Sequence, residues 1–290
     1  MKYIKNTVPE QLKLRPLWQI FDELDKNITQ RGTEPKYKIG LGDLDEILWG
    51  LHKQEVLTIG ARTSHGKSAL VTHLLCQMAS NDLTIIDFTI EMTEEQMCER
   101  MITHICEIDN IKLRQGHALS EYNEKKKLFR SWAIEKNVLL TNKYGRTFDD
   151  LLRVCDLIKP DFVIVDYIQM VKADGMDKKA AIEDYLIRIG ELAKDMNFGV
   201  INISQLNRGS ASEDKSRPHI HHLKWSGVLE EFSDSVILLS WDSDANEYTI
   251  YVEKQRHGEV GKIQVKFMPE YNKFREFTLK EKGEMMENKR

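Results

Sequence analysis

The sequence predicts an α/β protein with a mainly parallel sheet sandwiched by helices. Three observations carry that prediction. From Ile39 onward, short β-branched runs alternate with helical patterns, the order that builds strand–helix–strand units. Several runs, such as Phe162-Val163-Ile164-Val165, are apolar throughout, as strands buried on both faces must be. Finally, ARTSHGKSAL (Ala61–Leu70) is a small-residue junction between an apolar strand and a helix, a ready-made anion cradle in such sheets.

The elements follow in order. Leu17, Trp18, Phe21, Leu24 and Ile28 form one helical stripe, with Pro16 suited to the first turn. RGTEPKYK, Arg31 to Lys38, then breaks the pattern as a linker. A short amphipathic helix outside a linker needs apolar cover, either on its own domain or on a neighbouring subunit. Val56–Ile59 is the strand that leads into the loop. The helix Lys67–Ser80 follows, with Leu70, Val71, Leu74, Leu75 and Met78 on one face. Further strands are predicted at Leu83–Ile90, Val138–Leu140, Phe162–Val165, Val200–Ile203 and Val236–Leu239. Helices are expected at Glu94–Glu107, Glu121–Glu135, Phe148–Ile158 and Ala180–Asp195. The last third turns to strands: Tyr248–Val252 and Ile263–Phe267, antiparallel across the turn Arg256-His257-Gly258. The expected division is a helix and linker in 1–35, one large domain in 36–280 and a frayed tail in 281–290.

Composition narrows the class. Hydrophobic residues make up 41% and charged residues 30% of the 290, as in ordinary globular proteins. No run reaches the ~18 apolar residues of a membrane span, and MKYIKNTVPEQLKLRP lacks the apolar core of a signal peptide. Cys76, Cys98, Cys106 and Cys155 have no C-x-x-C spacing and read as reduced, packed thiols of a cytoplasmic protein. A net charge of −4 carries no global nucleic-acid signature, so a polyanion would meet locally basic loops.

The chemistry centres on the loop. Backbone N–H groups along Ala61, Arg62, Thr63, Ser64, His65 and Gly66 would cradle phosphate at the helix start. Lys67 would reach the β- and γ-phosphates of ATP or another NTP, and Ser68 would hold Mg2+ through its hydroxyl. The strict pattern has glycine at position 61; alanine adds only a methyl group. Hydrolysis also needs carboxylates. Asp166 follows four apolar residues and should emerge at a strand's carboxyl end, and Glu91 follows another apolar strand.

Six segments, in this order, resemble the RecA-like ATPase domain of the DnaB family of replicative DNA helicases, over about Ile39 to Phe277. ARTSHGKSA is similar to the family's phosphate loop, which also begins with a small residue. IEMTEEQ resembles its catalytic-glutamate segment, VDYIQM its Walker B strand and SQLNR its γ-phosphate-sensing strand end. KWSGVLEEFSD is similar to the segment after its second DNA loop, and EKQRHGEVGKIQVKF to the stretch carrying trans-acting basic residues. The resemblance implies ATP and Mg2+ as cofactors. It makes Asp166 metal-supporting, Glu91 the group that polarises water and Gln205 the γ-phosphate sensor. Lys254 and Arg256 would complete a neighbour's site as an arginine finger does. It therefore implies a ring, most often a hexamer, with the helix at Leu17–Ile28 docked on the adjacent subunit.

The resemblance also implies single-stranded DNA held by two loops, 172–179 and 208–224. Lys178, Lys179, Arg208, Lys215, Arg217 and Lys224 are the candidate phosphate contacts there. The loops lack aromatic residues before Trp225, which suits backbone contact better than stacking. His219, His221 and His222 invite a metal reading, but no cysteine or clear ligand partner accompanies them. The family's N-terminal collar domain has no counterpart here, so the expectation is a minimal helicase or the motor half of one, in a bacterial or infected-host cytoplasm. Primase and a helicase loader are the further partners the family suggests. Thr63 stands where the family usually has proline, and His65 where it usually has methionine. The segment before Glu253 is also shorter than usual. The rival expectations are a filament-forming recombinase and a DNA-stimulated regulatory ATPase.

Overall fold

Uniform burial decides which strands take the middle of the sheet. In the computed structural model, β1 (Val56–Ala61), β4 (Phe162–Asp166) and β5 (Gly199–Gln205) are buried almost throughout and lie centrally. The half-exposed β3 (Val138–Thr141) is an edge. With β2 (Ile85–Thr89) and β6 (Ser235–Asp242), these six strands run parallel in the order β3-β2-β4-β5-β1-β6. The sheet continues antiparallel through β7 (Glu247–Gln255), β8 (Gly261–Met268) and β9 (Lys273–Arg275). The predicted hairpin across Arg256–Gly258 joins β7 to β8. The structure describes residues 15–29, 37–63, 65–143, 147–172, 175, 177–207, 217–242, 247–278 and 280–281.

The chain divides into two compact units, residues 1–36 and 37–290. The first holds α1 (Leu17–Thr29), whose Leu17, Trp18, Phe21, Leu24 and Ile28 are all exposed. In the second, helices cover both sheet faces. On one face, α3 (Lys67–Ala79) and α4 (Glu94–Cys106) pack Leu70, Leu74, Leu75, Met97 and Met101 against Ile59, Ile164 and Ile203. On the other, α7 (Phe148–Ile158) and α8 (Lys178–Met196) pack Leu151, Ile182, Leu186 and Ile189 against Val163, Val165 and Val200.

Four short elements escape the sequence reading: α2 (Gly42–Leu48), α5 (Asn110–Arg114), α9 (Ser226–Phe232) and β9. Each spans too few residues for a period to register. Side-chain bonds hold α2 instead: the Asp45 carboxylate accepts N–H bonds from Ile39 and Gly40 at 2.6 and 3.0 Å, and the distant Glu276 carboxylate accepts the Asp43 N–H at 2.9 Å. The helix expected at Glu121–Glu135 begins earlier, as α6 (Leu119–Glu135), and α8 gains residues at both ends over Ala180–Asp195. The stripe assigned to α3 also needs correction. Thr72, His73 and Cys76 are buried as well as the apolar residues, because α3 lies between the sheet, α4 and β9. Cys76, Cys106 and Cys155 are buried free thiols, whereas Cys98 is half-exposed. Among the described residues no helix is long and apolar enough to cross a membrane.

Candidate nucleotide site

β1 ends at Ala61, fully buried and in register with Gln205 of β5. The chain must then turn sharply into α3, and Gly66 makes the turn at φ +80°. A Cβ there would also come within 3.0 Å of the Tyr248 ring, so glycine is required by conformation and by space. Lys67 opens the helix and is 8% exposed. Burial lowers the pKa of its ammonium, and the nearby Glu91 and Asp166 work against that shift.

Asp166 is the last residue of β4, opposite Thr89 of β2. The chain leaving β2 is tied to it, since the Ile90 and Glu91 N–H groups donate to the Asp166 carbonyl at 2.9 and 3.3 Å. This places Glu91, exposed at the rim, beside a carboxyl that is 1% exposed. Burial, and then the Glu91 charge, push Asp166 up to about 7 against the pull of Lys67 and Arg100. Its Oδ1 is shielded from solvent and has no hydrogen-bond partner, a vacancy in bonding that a cation would fill. Lys67, Glu91 and Asp166, predicted separately, thus converge at the carboxyl ends of the parallel strands.

Gln205 ends β5, and its Nε2 donates to Thr63 Oγ1 at 2.6 Å. Thr63 therefore supplies a hydroxyl that proline could not. Gln169, in the turn after Asp166, accepts from the Gln205 N–H at 3.4 Å and donates from Nε2 to Ser204 Oγ at 2.7 Å. The turn after β4, the end of β5 and Thr63 after β1 are thus linked by side-chain hydrogen bonds.

Lys254 and Arg256 stand elsewhere. β7 runs antiparallel to β6, so Lys254 pairs with Val236 at the start of β6, at the amino ends of the parallel strands. Lys254 Nζ donates to the Glu230 carbonyl. Arg256 pairs with Asp234 at 2.9 Å and donates to the Glu231 carbonyl at 3.0 Å. Neither residue stands near the candidate phosphate loop of its own chain.

A model of the DnaB-like helicase C-terminal domain matches residues 37–276. The chain belongs to this family. It is 25% identical over 285 residues to the replicative DNA helicase DnaC of Bacillus subtilis, covering 93% of this chain and 63% of that protein. Against DnaB of Haemophilus influenzae it is 26% identical over 253 residues, covering 81% of this chain and 54% of the relative. The chain thus spans a little over half the length of the curated relatives it matches. Among solved structures, the ATPase domain of G40P superposes with a TM-score of 0.83 at 21% identity, covering 91% of this chain and 99% of that one. A DnaB-like replicative helicase, solved with its interactions with primase, gives 0.82 at 21% identity over 91% of this chain and 69% of that one. The fold is the RecA-like one expected from the sequence.

Of the candidate DNA contacts, Lys178 and Lys224 lie close enough for their charges to repel. Lys178 and Lys179 open α8 under an Asp177 cap, whose carboxylate accepts the Lys179 and Ala180 N–H groups at 3.0 and 3.3 Å. Burial, and then the charge of Lys224, lower the Lys178 ammonium. Lys224 itself lies 4.5 Å over the Trp225 ring. Arg217 pairs with Glu253 at 2.6 Å and covers the Tyr251 ring at 5.0 Å. Ser64, Arg208 and Lys215 lie outside the described residues. The rings of His219, His221 and His222 pack together. Among the described residues, no group of three or more His, Cys, Asp or Glu side chains is placed to hold a metal ion.

Two charged residues near the site were missed. Arg100 lies on α4, and Asp166 and Glu91 act on its guanidinium against the depression that burial imposes first. Its Nε is buried without a partner. Its signal was present: Met97, Arg100, Met101 and His104 follow the spacing of an inward helix face. Asp87 is fully buried in β2, and neither carboxylate oxygen has a partner. Burial, reinforced by Asp166, raises its pKa well above the ordinary range.

Proposed function

We propose that the chain is the motor domain of a ring-forming, ATP-dependent replicative DNA helicase that translocates on single-stranded DNA and unwinds duplex. The observation that carries this reading is the convergence of Lys67, Glu91, Asp166 and Gln205 on one phosphate loop. In this reading, loop N–H groups and the start of the 13-residue α3 bind the phosphates. Lys67, now flanked by Glu91 and Asp166, turns its ammonium to the β- and γ-phosphates. The Ser68 hydroxyl and the unpartnered Asp166 Oδ1 fit Mg2+, which when bound offsets phosphate charge. Glu91, exposed at the rim, orients water and accepts its proton. Gln205 exchanges its Thr63 bond for the γ-phosphate and relays the change along its strand to the loop at 208–224.

Lys254 and Arg256, remote from their own loop, are assigned to a neighbour's nucleotide. This requires a closed or lock-washer ring, with six subunits the expected number. The exposed stripe of α1, flanked by Asp22, Glu23 and Asp25, is assigned to a neighbouring copy. Lys178, Lys179, Arg208, Lys215, Arg217 and Lys224 are assigned to DNA phosphates, with Arg217 first leaving Glu253. Primase or a helicase loader would be further partners, in a bacterial or infected-host cytoplasm. Unwinding of a tailed duplex with ATP tests the proposal. Expected are single-strand-stimulated hydrolysis and strand separation; strand exchange without unwinding, or turnover indifferent to DNA, would overturn it.

A further inference from the structure

Asp166 on β4 and Glu91 after β2 stand on one side of β1, and the phosphate loop follows β1 itself. A nucleotide whose γ-phosphate meets those carboxylates has room to extend its ribose and base away from them, toward β6 and β7. Trp241 lies there. β6 is parallel to β1 with Leu239 opposite Ala61, so Trp241 reaches two residues past the end of β1, level with the loop. It shares a sheet face with Leu239, which packs in the cluster beneath α3. Across the strands Trp241 pairs with Tyr248, their rings stacked at 5.8 Å and 11°. Tyr248 is buried and meets Phe267 edge-on at 5.2 Å. From the loop, His65 meets the indole edge-on at 6.1 Å and 90°. Trp241 itself remains partly exposed. Its Nε1 and His65 Nδ1 are shielded from solvent without hydrogen-bond partners, an incomplete polar environment beside the anion cradle.

We propose that Trp241, braced by Tyr248 and His65, is the nucleobase platform of this site and favours purine over pyrimidine nucleotides. The inference rests on reading Ala61–Ser68 as the phosphate cradle. Stacking scales with the ring area covered, so the two-ring bases gain more from an indole than the one-ring bases do. Tyr248, the ring that a Cβ at Gly66 would strike, fixes loop and platform together.

The test uses the full chain, hydrolysis of ATP, GTP, CTP and UTP, and inhibition by inorganic tripolyphosphate, which carries phosphates but no base. W241A is expected to raise the KM for ATP roughly tenfold, with a smaller change in kcat and no change in tripolyphosphate inhibition. Discrimination between purines and pyrimidines should collapse in W241A and return with W241F. An ATP KM within about twofold of the unaltered chain would overturn the platform. So would equal weakening of ATP and tripolyphosphate, because Trp241 would then be supporting the loop. If the unaltered chain neither hydrolyses NTPs nor responds to tripolyphosphate, the phosphate-cradle reading itself fails and takes the platform with it.

Discussion

The two ends of the sheet treat charge in opposite ways. Toward the carboxyl ends of the parallel strands, Asp166 at the end of β4 and Asp87 inside β2 are buried, and these carboxyls and the shielded Nε of the half-buried Arg100 have polar atoms that the chain leaves unpartnered. At the amino ends, Lys254 and Arg256 already hold carbonyls and a carboxylate of the α9 turn. A buried group without a partner costs stability, so the first end is organised for something absent from the chain. The second end is already satisfied internally, and its cations must exchange partners before they serve a neighbour. In the proposed ring, the first end would be the receiver and the second the donor.

The largest expected effect tests that division. Glu91→Gln should lower kcat by roughly 10²–10⁴ while nucleotide binding persists. Arg256→Ala should also abolish most turnover. Mixing the two variants should restore hydrolysis at interfaces that join an intact Glu91 to a neighbour's intact Arg256. Strict subunit autonomy in the mixture would erase the distinction between receiver and donor.

Next in size, Gly66→Ala sharpens the receiver end. Its left-handed backbone and the Tyr248 contact should cost about 1–3 kcal/mol, read as a lowered Tm with weakened tripolyphosphate binding. Asp87→Val should act with the opposite sign and stabilise by about 1–3 kcal/mol at neutral pH, since it removes an unpartnered buried carboxyl. Asp87 stays protonated in the fold but ionises in the unfolded chain above its ordinary value of 3.8. Unfolding then releases a proton, so stability falls as pH rises from that value toward the raised folded one. The gain from Asp87→Val should accordingly grow with pH in denaturant titrations; a gain independent of pH would show that Asp87 is ionised or solvated in the fold.

The smallest effect concerns the link between strands. Thr63→Val deletes the hydroxyl that Gln205 holds at 2.6 Å and should cost about 0.5–1.5 kcal/mol. DNA stimulation of hydrolysis should fall more than basal hydrolysis does. Equal loss of both would place Thr63 in the cradle alone.

Much of the fold was legible because its signals are local. Short, mostly apolar runs rich in β-branched residues identified β1, β4 and β5, and the loop with its flanking strand and helix identified the candidate phosphate end. Elements without a local period were missed: α2 depends on Asp45 bonding back to Ile39 and Gly40, and the three-residue β9 exists only by pairing with β8. Arg100 was visible as a charge on an inward helix face, but its partners were not. Asp87 gives no local signal, because one aspartate within an apolar run looks the same whether the fold pairs it or leaves it unpartnered.

From sequence alone came the candidate phosphate loop, the two candidate carboxylates and the alternation of strands and helices, each read from short local runs, whereas the candidate sensor Gln205 came from the family resemblance. The tertiary structure decided strand order, and strand order sets what lies beside the loop. Crossovers place β4 and β5 between β2 and β1, which brings Asp166, Glu91 and Gln205 to Lys67. The antiparallel return of β7 carries Lys254 and Arg256 to the far end and sets Tyr248 behind Trp241. A strand's residues specify its burial, but the partner it finds depends on how the whole chain packs.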